Sequence, residues 1–263
     1  MGKVFAVMSG KGGVGKSTIA AALAEFFARQ GLSTVLLDGD TGLRCADLML
    51  GAQNQVLYDL NDVIEKKCKM NQALVQITDV SRLEMLAAPQ LLKPSDMKAR
   101  DMGRLITTLS DQRDVLILDA PAGIGRGLKN LLGAAAEPVI VATPDDIAVR
   151  DAERIGMLLQ ERDEPRPVIV FNRVDKKLIR RGEMASPAAL AQALDMPLAG
   201  VIPESRMVYR AALKHLRPLQ CGDEQVTNAV ATLGLRLLGR EAVLPVLEPS
   251  PILRFFNRRG VSL

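Results

Sequence analysis

Hydrophobic residues in this chain come in short β-rich runs separated by longer stretches with helical spacing. The runs Val4–Met8, Thr34–Leu37, Leu83–Ala87, Val115–Leu118, Val139–Ala142, Val168–Phe171 and Leu198–Ile202 predict seven strands. Each is almost continuously apolar rather than alternating, the pattern of strands covered on both faces of a parallel sheet. Between them, Ser17–Arg29, Met97–Leu109, Val149–Glu161 and Pro187–Leu194 carry apolar residues at helical spacing, and Glu224–Leu238 follows the last strand. The pattern predicts an α/β fold, a mostly parallel twisted sheet flanked by helices. There is no internal repeat and no low-complexity tract. Pro245, Pro249 and Pro251 then interrupt the chain. The expected organisation is a folded domain over 1–240, a proline-containing linker over 241–251 and a separate element over 252–263.

Composition narrows the class. The 263 residues are 48% hydrophobic and 24% charged, enough apolar surface to exclude a disordered chain. No apolar run approaches the roughly 18 residues that span a bilayer. Val4–Met8 is too short for a signal peptide, and Ala6 stands where a myristoylation motif needs Ser or Thr, so a cytosolic chain is expected. Cys45, Cys68 and Cys221 match neither a disulfide framework nor a metal-site spacing. The single histidine, His215, excludes a multi-histidine metal site and leaves a Ser-His-Asp triad only through itself. The net charge is +4, of which Arg254, Arg258 and Arg259 supply three in a tail without acids. The remainder, at +1, is no broadly basic surface, and no nucleic-acid partner is expected.

The strongest chemical signal lies between the first strand and the first helix. Gly10-Lys11-Gly12-Gly13-Val14-Gly15-Lys16-Ser17 fits G-x-x-x-x-G-K-[ST], a pattern with roughly a 1% chance of arising from average composition in a chain this long. Its strand-before, helix-after setting makes coincidence rarer still. Glycines let backbone N–H groups curl around phosphate oxygens, and the helix N-terminus adds favourable dipole charge. Lys16 is placed to reach β- and γ-phosphates and Ser17 to ligate Mg²⁺.

Acids follow at the ends of two other strands. Asp119 terminates Val115–Leu118 and is suited to hold Mg²⁺ through water; Asp38 and Asp40 end the second strand in the same way. One of that pair is a candidate for positioning an attacking water or contacting the metal. The crevice beyond the carboxyl ends of parallel strands is where such sheets bind ligands. Asn172-Arg173-Val174-Asp175 comes close to the N-K-x-D guanine motif, with Arg for Lys. Local chemistry at this point leaves both ATP and GTP open.

Lys11 sets the loop apart. Lys11-Gly12-Gly13-Val14-Gly15-Lys16-Ser17-Thr18 resembles the deviant Walker A motif of the MinD/ParA family of ATPases. The likeness runs on through Asp38-Gly-Asp-Thr-Gly-Leu-Arg44, Asp47–Gly51, Tyr58–Ile64, Asp119-Ala-Pro-Ala-Gly123, Val149–Asp151, Arg181–Met184 and Gly200–Glu204, nearly the whole chain. These stretches point to the branch that positions the bacterial division septum. The resemblance implies a P-loop NTPase of the SIMIBI type that hydrolyses ATP with Mg²⁺ and forms a sandwich homodimer on ATP. In that picture Lys11 reaches the partner's nucleotide, while Lys16 and Ser17 bind phosphate and metal. Asp40 and Asp119 complete the metal and hydrolysis site. Asn172, Arg173, Pro203 and Glu204 hold the adenine end. Asp145 faces the other subunit's nucleotide, and Asp151 falls in the helix used by protein partners. Those partners are a division inhibitor and an ATPase-activating protein, with the dimer peripheral on the inner face of the cell membrane.

Two positions depart from the family pattern: Cys45 stands where an Asn is common, and Asp145-Asp146-Ile147 differs from the usual wording. Other readings are a flagellar-number regulator of the same family, a ParA-type DNA-segregation ATPase and a GTPase switch using Asn172–Asp175. An iron–sulfur reductase of related fold would need cysteines after Asp119, and none follows.

The tail fits the membrane expectation. On a wheel of about 100° per residue, Ile252, Leu253, Phe255 and Phe256 span roughly 160°, with Arg254, Asn257 and Arg258 opposite. Arg259 falls within the apolar arc, where a long side chain can snorkel. The pattern predicts a short interfacial amphipathic helix. Four large apolar groups at about 1.5–3 kcal/mol each set a gross limit near 10 kcal/mol. Ordering about ten residues costs roughly 1 kcal/mol or more each, and three arginines add about 1 kcal/mol apiece on anionic lipid. One tail is marginal; two on a dimer gain on the order of 10²-fold by avidity.

Overall fold

The structure is a computed structural model that describes residues 1–40, 44–90, 98–131 and 136–245. Its strands are β1 (Lys3–Met8), β2 (Thr34–Asp38), β3 (Val75–Gln76), β4 (Leu83–Leu86), β5 (Val115–Asp119), β6 (Glu137–Ala142), β7 (Val168–Val174) and β8 (Leu198–Pro203). They form one sheet in the order β3-β4-β2-β5-β1-β6-β7-β8, parallel throughout except for β3, which pairs antiparallel with β4. All seven predicted strands are present. The short β3 was not predicted, because two residues carry no periodicity to read.

The interior strands are buried on both faces, as continuous apolar runs require: every residue of β2 and β5 is buried. The helix Lys16–Arg29 is the most deeply buried helix on the sheet, with Ile19 through Ala28 all sheltered. Its alanines favour helix and let it pack closely, and Phe27 stacks on Phe5 of β1 at 5.8 Å between ring centroids. Glu25, on this same apolar helix, is fully buried and therefore needs cations. Arg29 meets its Oε1 at 2.7 Å and Arg217 at 3.3 Å.

Helix ends moved by one to three residues from the predicted positions, for local reasons. The helix Asp146–Glu161 starts three residues early because Asp145 caps it, accepting from the Ala148 N–H at 3.0 Å. The helix Ala99–Gln112 runs past Leu109 through a polar last turn, and Met97 lies outside the described residues. Five-residue helices at Ala46–Leu50 and Leu60–Ile64 were too short to predict from spacing. No described helix is long and apolar enough to cross a membrane. Residues 241–245 adopt neither helix nor strand; the rest of the expected linker and the tail, with Ile252, Leu253, Arg254, Phe255, Phe256 and Arg258, lie outside the described residues.

The helix Glu224–Leu237 crosses Lys16–Arg29 at Gly234, where any Cβ would run into the ring of Phe26. Gly234→Val is expected to cost about 1–3 kcal/mol of stability by overpacking. Urea unfolding checks it: an unchanged midpoint would mean that the two helices are not this close.

Candidate functional site

β1 lies between β5 and β6, and the chain leaves its carboxyl end to pass through the glycine loop into Lys16–Arg29. The loop therefore sits at the edge where a doubly wound sheet binds ligands. Gly15 precedes the helix with φ of 93°, a left-handed conformation that favours glycine, and no side chain caps the helix. The first-turn N–H groups are thus left for an anion. Asn172, at the end of β7, donates its Nδ2 to the Val14 carbonyl at 2.8 Å and braces the loop from below. A Cβ on Gly15 would strike that same amide.

Lys16 is buried and extends to Asp119. Its Nζ lies 2.6 Å from Asp119 Oδ1 and 3.3 Å from Ser17 Oγ. Asp119 pairs in register with Asp38 across β5 and β2, so two carboxylates stand side by side at the edge. Asp38 accepts from the N–H groups of Asp40 at 2.9 Å and Ala46 at 3.1 Å, which anchors the loop after β2. Burial, and after it the neighbouring Asp119, pushes the Asp38 carboxyl up to about 7. Asp40 is half-buried at the mouth; burial raises its carboxyl as well, with Lys16 opposing and Asp119 adding to the shift. Of the pair Asp38 and Asp40, only Asp40 remains open to a water or metal. Cys45 shares this field: burial, then Asp38, Asp40 and Asp119, push its thiol up.

These residues fit Mg²⁺. Asp119 Oδ2 is buried without a hydrogen-bond partner, and the Ser17 hydroxyl and Asp40 add hard oxygen donors beside it. Among the described residues no three His, Cys, Asp or Glu side chains form a cage on their own, so Mg²⁺ here would share its coordination with phosphate and water.

The base side is equally well gathered. Gly15, Thr18, Asn172, Arg173, Pro203 and Glu204 line one cavity of about 730 Å³. Sequence reading missed another wall, the helix Arg206–Leu213, which contributes Arg206 and Tyr209. The signal was present: Ser205 caps that helix at the Met207 N–H. Asp175 does not line the cavity. Its Oδ1 caps the next helix, accepting from the Lys177 N–H at 2.7 Å.

Lys11 stands away from the pocket floor, half-exposed, with its Nζ 4.0 Å from Asp145 Oδ1. Burial acts most strongly on Asp145 and raises its carboxyl. Hydrogen bonds from Thr143 and the Ala148 N–H, with Lys11, outweigh it and hold the group below its ordinary range. Asp151 is nearly two turns further along the same helix, its Cβ and carbonyl packed on Gly10, with Arg154 3.5 Å from its carboxylate. The helix Asp146–Glu161 thus abuts the phosphate loop.

Fold and site together define a P-loop NTPase. Residues 1–175 match the ParA family, described as NUBPL iron-transfer P-loop NTPase. The septum site-determining protein MinD of Bacillus subtilis is 35% identical over 251 residues, 94% of this chain and 93% of that protein. The chain belongs to the MinD family of septum site-determining ATPases. MinD of Helicobacter pylori is 34% identical, with 92% of each chain covered. Among solved structures, the MinC:MinD complex of Aquifex aeolicus matches with TM-score 0.85 at 27% identity, over 94% of this chain and 99% of that one. MinD of Pyrococcus horikoshii, solved with Mg-ADP, shares the fold at TM-score 0.79 and 22% identity, over 90% and 96% of the two chains. Of the cysteines, Cys221 is buried and Cys45 and Cys68 are half-buried.

The raised Asp38 carboxyl has a measurable consequence. The folded chain holds a proton there that the unfolded chain releases near 3.8, so stability is present at low pH and is lost as pH rises from about 4 to about 7. Asp38→Asn is expected to flatten that slope in urea unfolding of nucleotide-free protein. An equal slope in both proteins would contradict the assignment.

Proposed function

We propose that the protein hydrolyses ATP with Mg²⁺, dimerises on ATP, and binds the inner face of the cytoplasmic membrane through residues 252–263. There it recruits a division inhibitor and is stimulated by an activating protein, and so helps place the septum. The inhibitor follows the MinC:MinD complex of the Aquifex relative; the activator follows the family resemblance.

The observation that carries the reading is where the tail begins. The helix Glu224–Leu237 ends at the far edge of the sheet, where the Leu237 carbonyl accepts from Lys3 of β1. The chain then turns back, with Arg236 holding the Ala242 carbonyl at 3.0 Å. Val243, Leu244 and Pro245 share a cavity of about 340 Å³ with Val174, Lys176, Pro203 and Gln225. Val174 and Pro203 end β7 and β8, and Pro203 also lines the base cavity. Residues 243–245 thus line a cavity that reaches the carboxyl ends of β7 and β8, and we take the tail to leave from that side. A dimer closed over two nucleotides at that edge brings two tail roots to one side, and two tails bind where one is marginal.

Within the site each residue has a task. Loop amides and Lys16 hold the phosphates; a phosphate and Asp119 compete for the one Lys16 ammonium. Ser17, Asp40 and Asp119 are the Mg²⁺ residues, and the metal would supply charge neutralisation between the phosphates. Asp40, its carboxyl raised by burial, is placed to orient the attacking water. Lys11, half-exposed, is free to leave Asp145 for a partner's phosphate. Adenine is favoured over guanine because Asp175 is turned to helix capping and stays out of the cavity, while Asn172, Arg173, Pro203 and Glu204 line it.

Deletion of residues 252–263 tests the membrane arm. ATP affinity is expected to stay unchanged while binding to anionic vesicles in ATP disappears. Persistent vesicle binding by the truncated chain would overturn the reading.

A further inference from the structure

We propose that the short helix Lys176–Arg181 is a second contact for anionic lipid, carried on the body of the protein beside the root of the tail. The inference rests on the membrane reading above and extends it to residues outside the tail. The helix reads Lys-Lys-Leu-Ile-Arg-Arg, four cations in six residues. At about 100° per residue, Lys176, Lys177, Arg180 and Arg181 occupy one arc of roughly 140°. All four are exposed, while Ile179, on the other side, is fully buried and fixes which face turns outward.

The charges are unspent. Lys176 only approaches Gln225 at 3.5 Å, and among the described residues no ion pair engages Lys177, Arg180 or Arg181. Asp175 is committed to the helix cap, so Glu183 is the one nearby acid left in the segment. On a body whose net charge is only +1 without the tail arginines, this is a local cluster.

Position decides the occupant. Lys176 lines the same cavity as Val243, Leu244 and Pro245, where the described chain ends. Ile252, the first apolar residue of the tail, is seven residues on, at most about 25 Å when fully extended. Once the tail lies in the lipid interface, the basic face is tethered within that distance of the headgroups, and lipid charge acts over about one Debye length, near 8 Å. A second copy whose twofold axis passed through this helix would set its four cations against the same four of the partner. A nucleic acid would ask for a wider basic stripe than the near-neutral body supplies.

The test compares the intact full-length protein with the double variant Lys177→Gln/Arg180→Gln, both residues lying outside the nucleotide cavity. Each is co-sedimented in ATP with phosphatidylcholine vesicles and with phosphatidylcholine–phosphatidylglycerol vesicles over a range of salt. A cation at an anionic surface contributes about fivefold in affinity, so the variant is expected to lose about tenfold or more on mixed vesicles. It should lose nothing on neutral vesicles and should keep ATP-dependent dimerisation. Equal affinity of both proteins for mixed vesicles overturns the inference. So does a variant that no longer dimerises, which assigns the face to a second copy, or one that loses binding to duplex DNA but not to lipid. If the intact protein itself fails to pellet on either vesicle, the membrane reading falls, and that failure shows before any residue is changed.

Discussion

The contact between Lys16 and Asp119, 2.6 Å long and almost wholly out of water, organises the functional edge. Desolvating two charges costs several kcal/mol each, so the pair is poor evidence for stability and better evidence for a site under electrostatic tension. The tension comes from burial together with an excess of carboxylates: Asp119, Asp38 and Asp40 share one buried ammonium. Asp38, desolvated first of all and then crowded by Asp119, holds its proton to about 7, and Asp119 leaves one oxygen with no partner. A further cation and an anion for Lys16 relieve both strains, which is what Mg²⁺ and a nucleoside phosphate bring.

Everything around that contact serves to hold it in place. The parallel register sets Asp38 beside Asp119. Asn172 fixes the loop through Val14, and Gly15 leaves room for it. The buried helix that starts at Lys16 is locked to the 218–220 turn through Glu25 and Arg217. Movement at the phosphate loop therefore meets the core of the sheet on one side and the C-terminal helix on the other.

The strands and the loop were legible in the sequence because continuous apolar runs and a spaced glycine motif are local signals. Asp119 and Asp38 were also legible, each ending such a run. Their pairing with each other and with Lys16 was not, since register between distant strands is a tertiary property. The same holds for Asn172: its position was read as base-binding, while its amide also braces Val14, a contact 158 residues away in sequence. The resemblance to the family supplied Lys11 and Asp151, which no periodicity marks. That residues 243–245 share a cavity with Val174 and Pro203, at the carboxyl ends of β7 and β8, could not be read from prolines alone.

The central claim is that nucleotide state, acting at this edge, controls attachment of the tail. Co-sedimentation of the full-length protein with anionic vesicles, in ATP and in ADP, tests it most directly. The account predicts pelleting with ATP and release with ADP. Equal pelleting with both nucleotides would contradict it and leave an ATPase whose tail is uncoupled from its site.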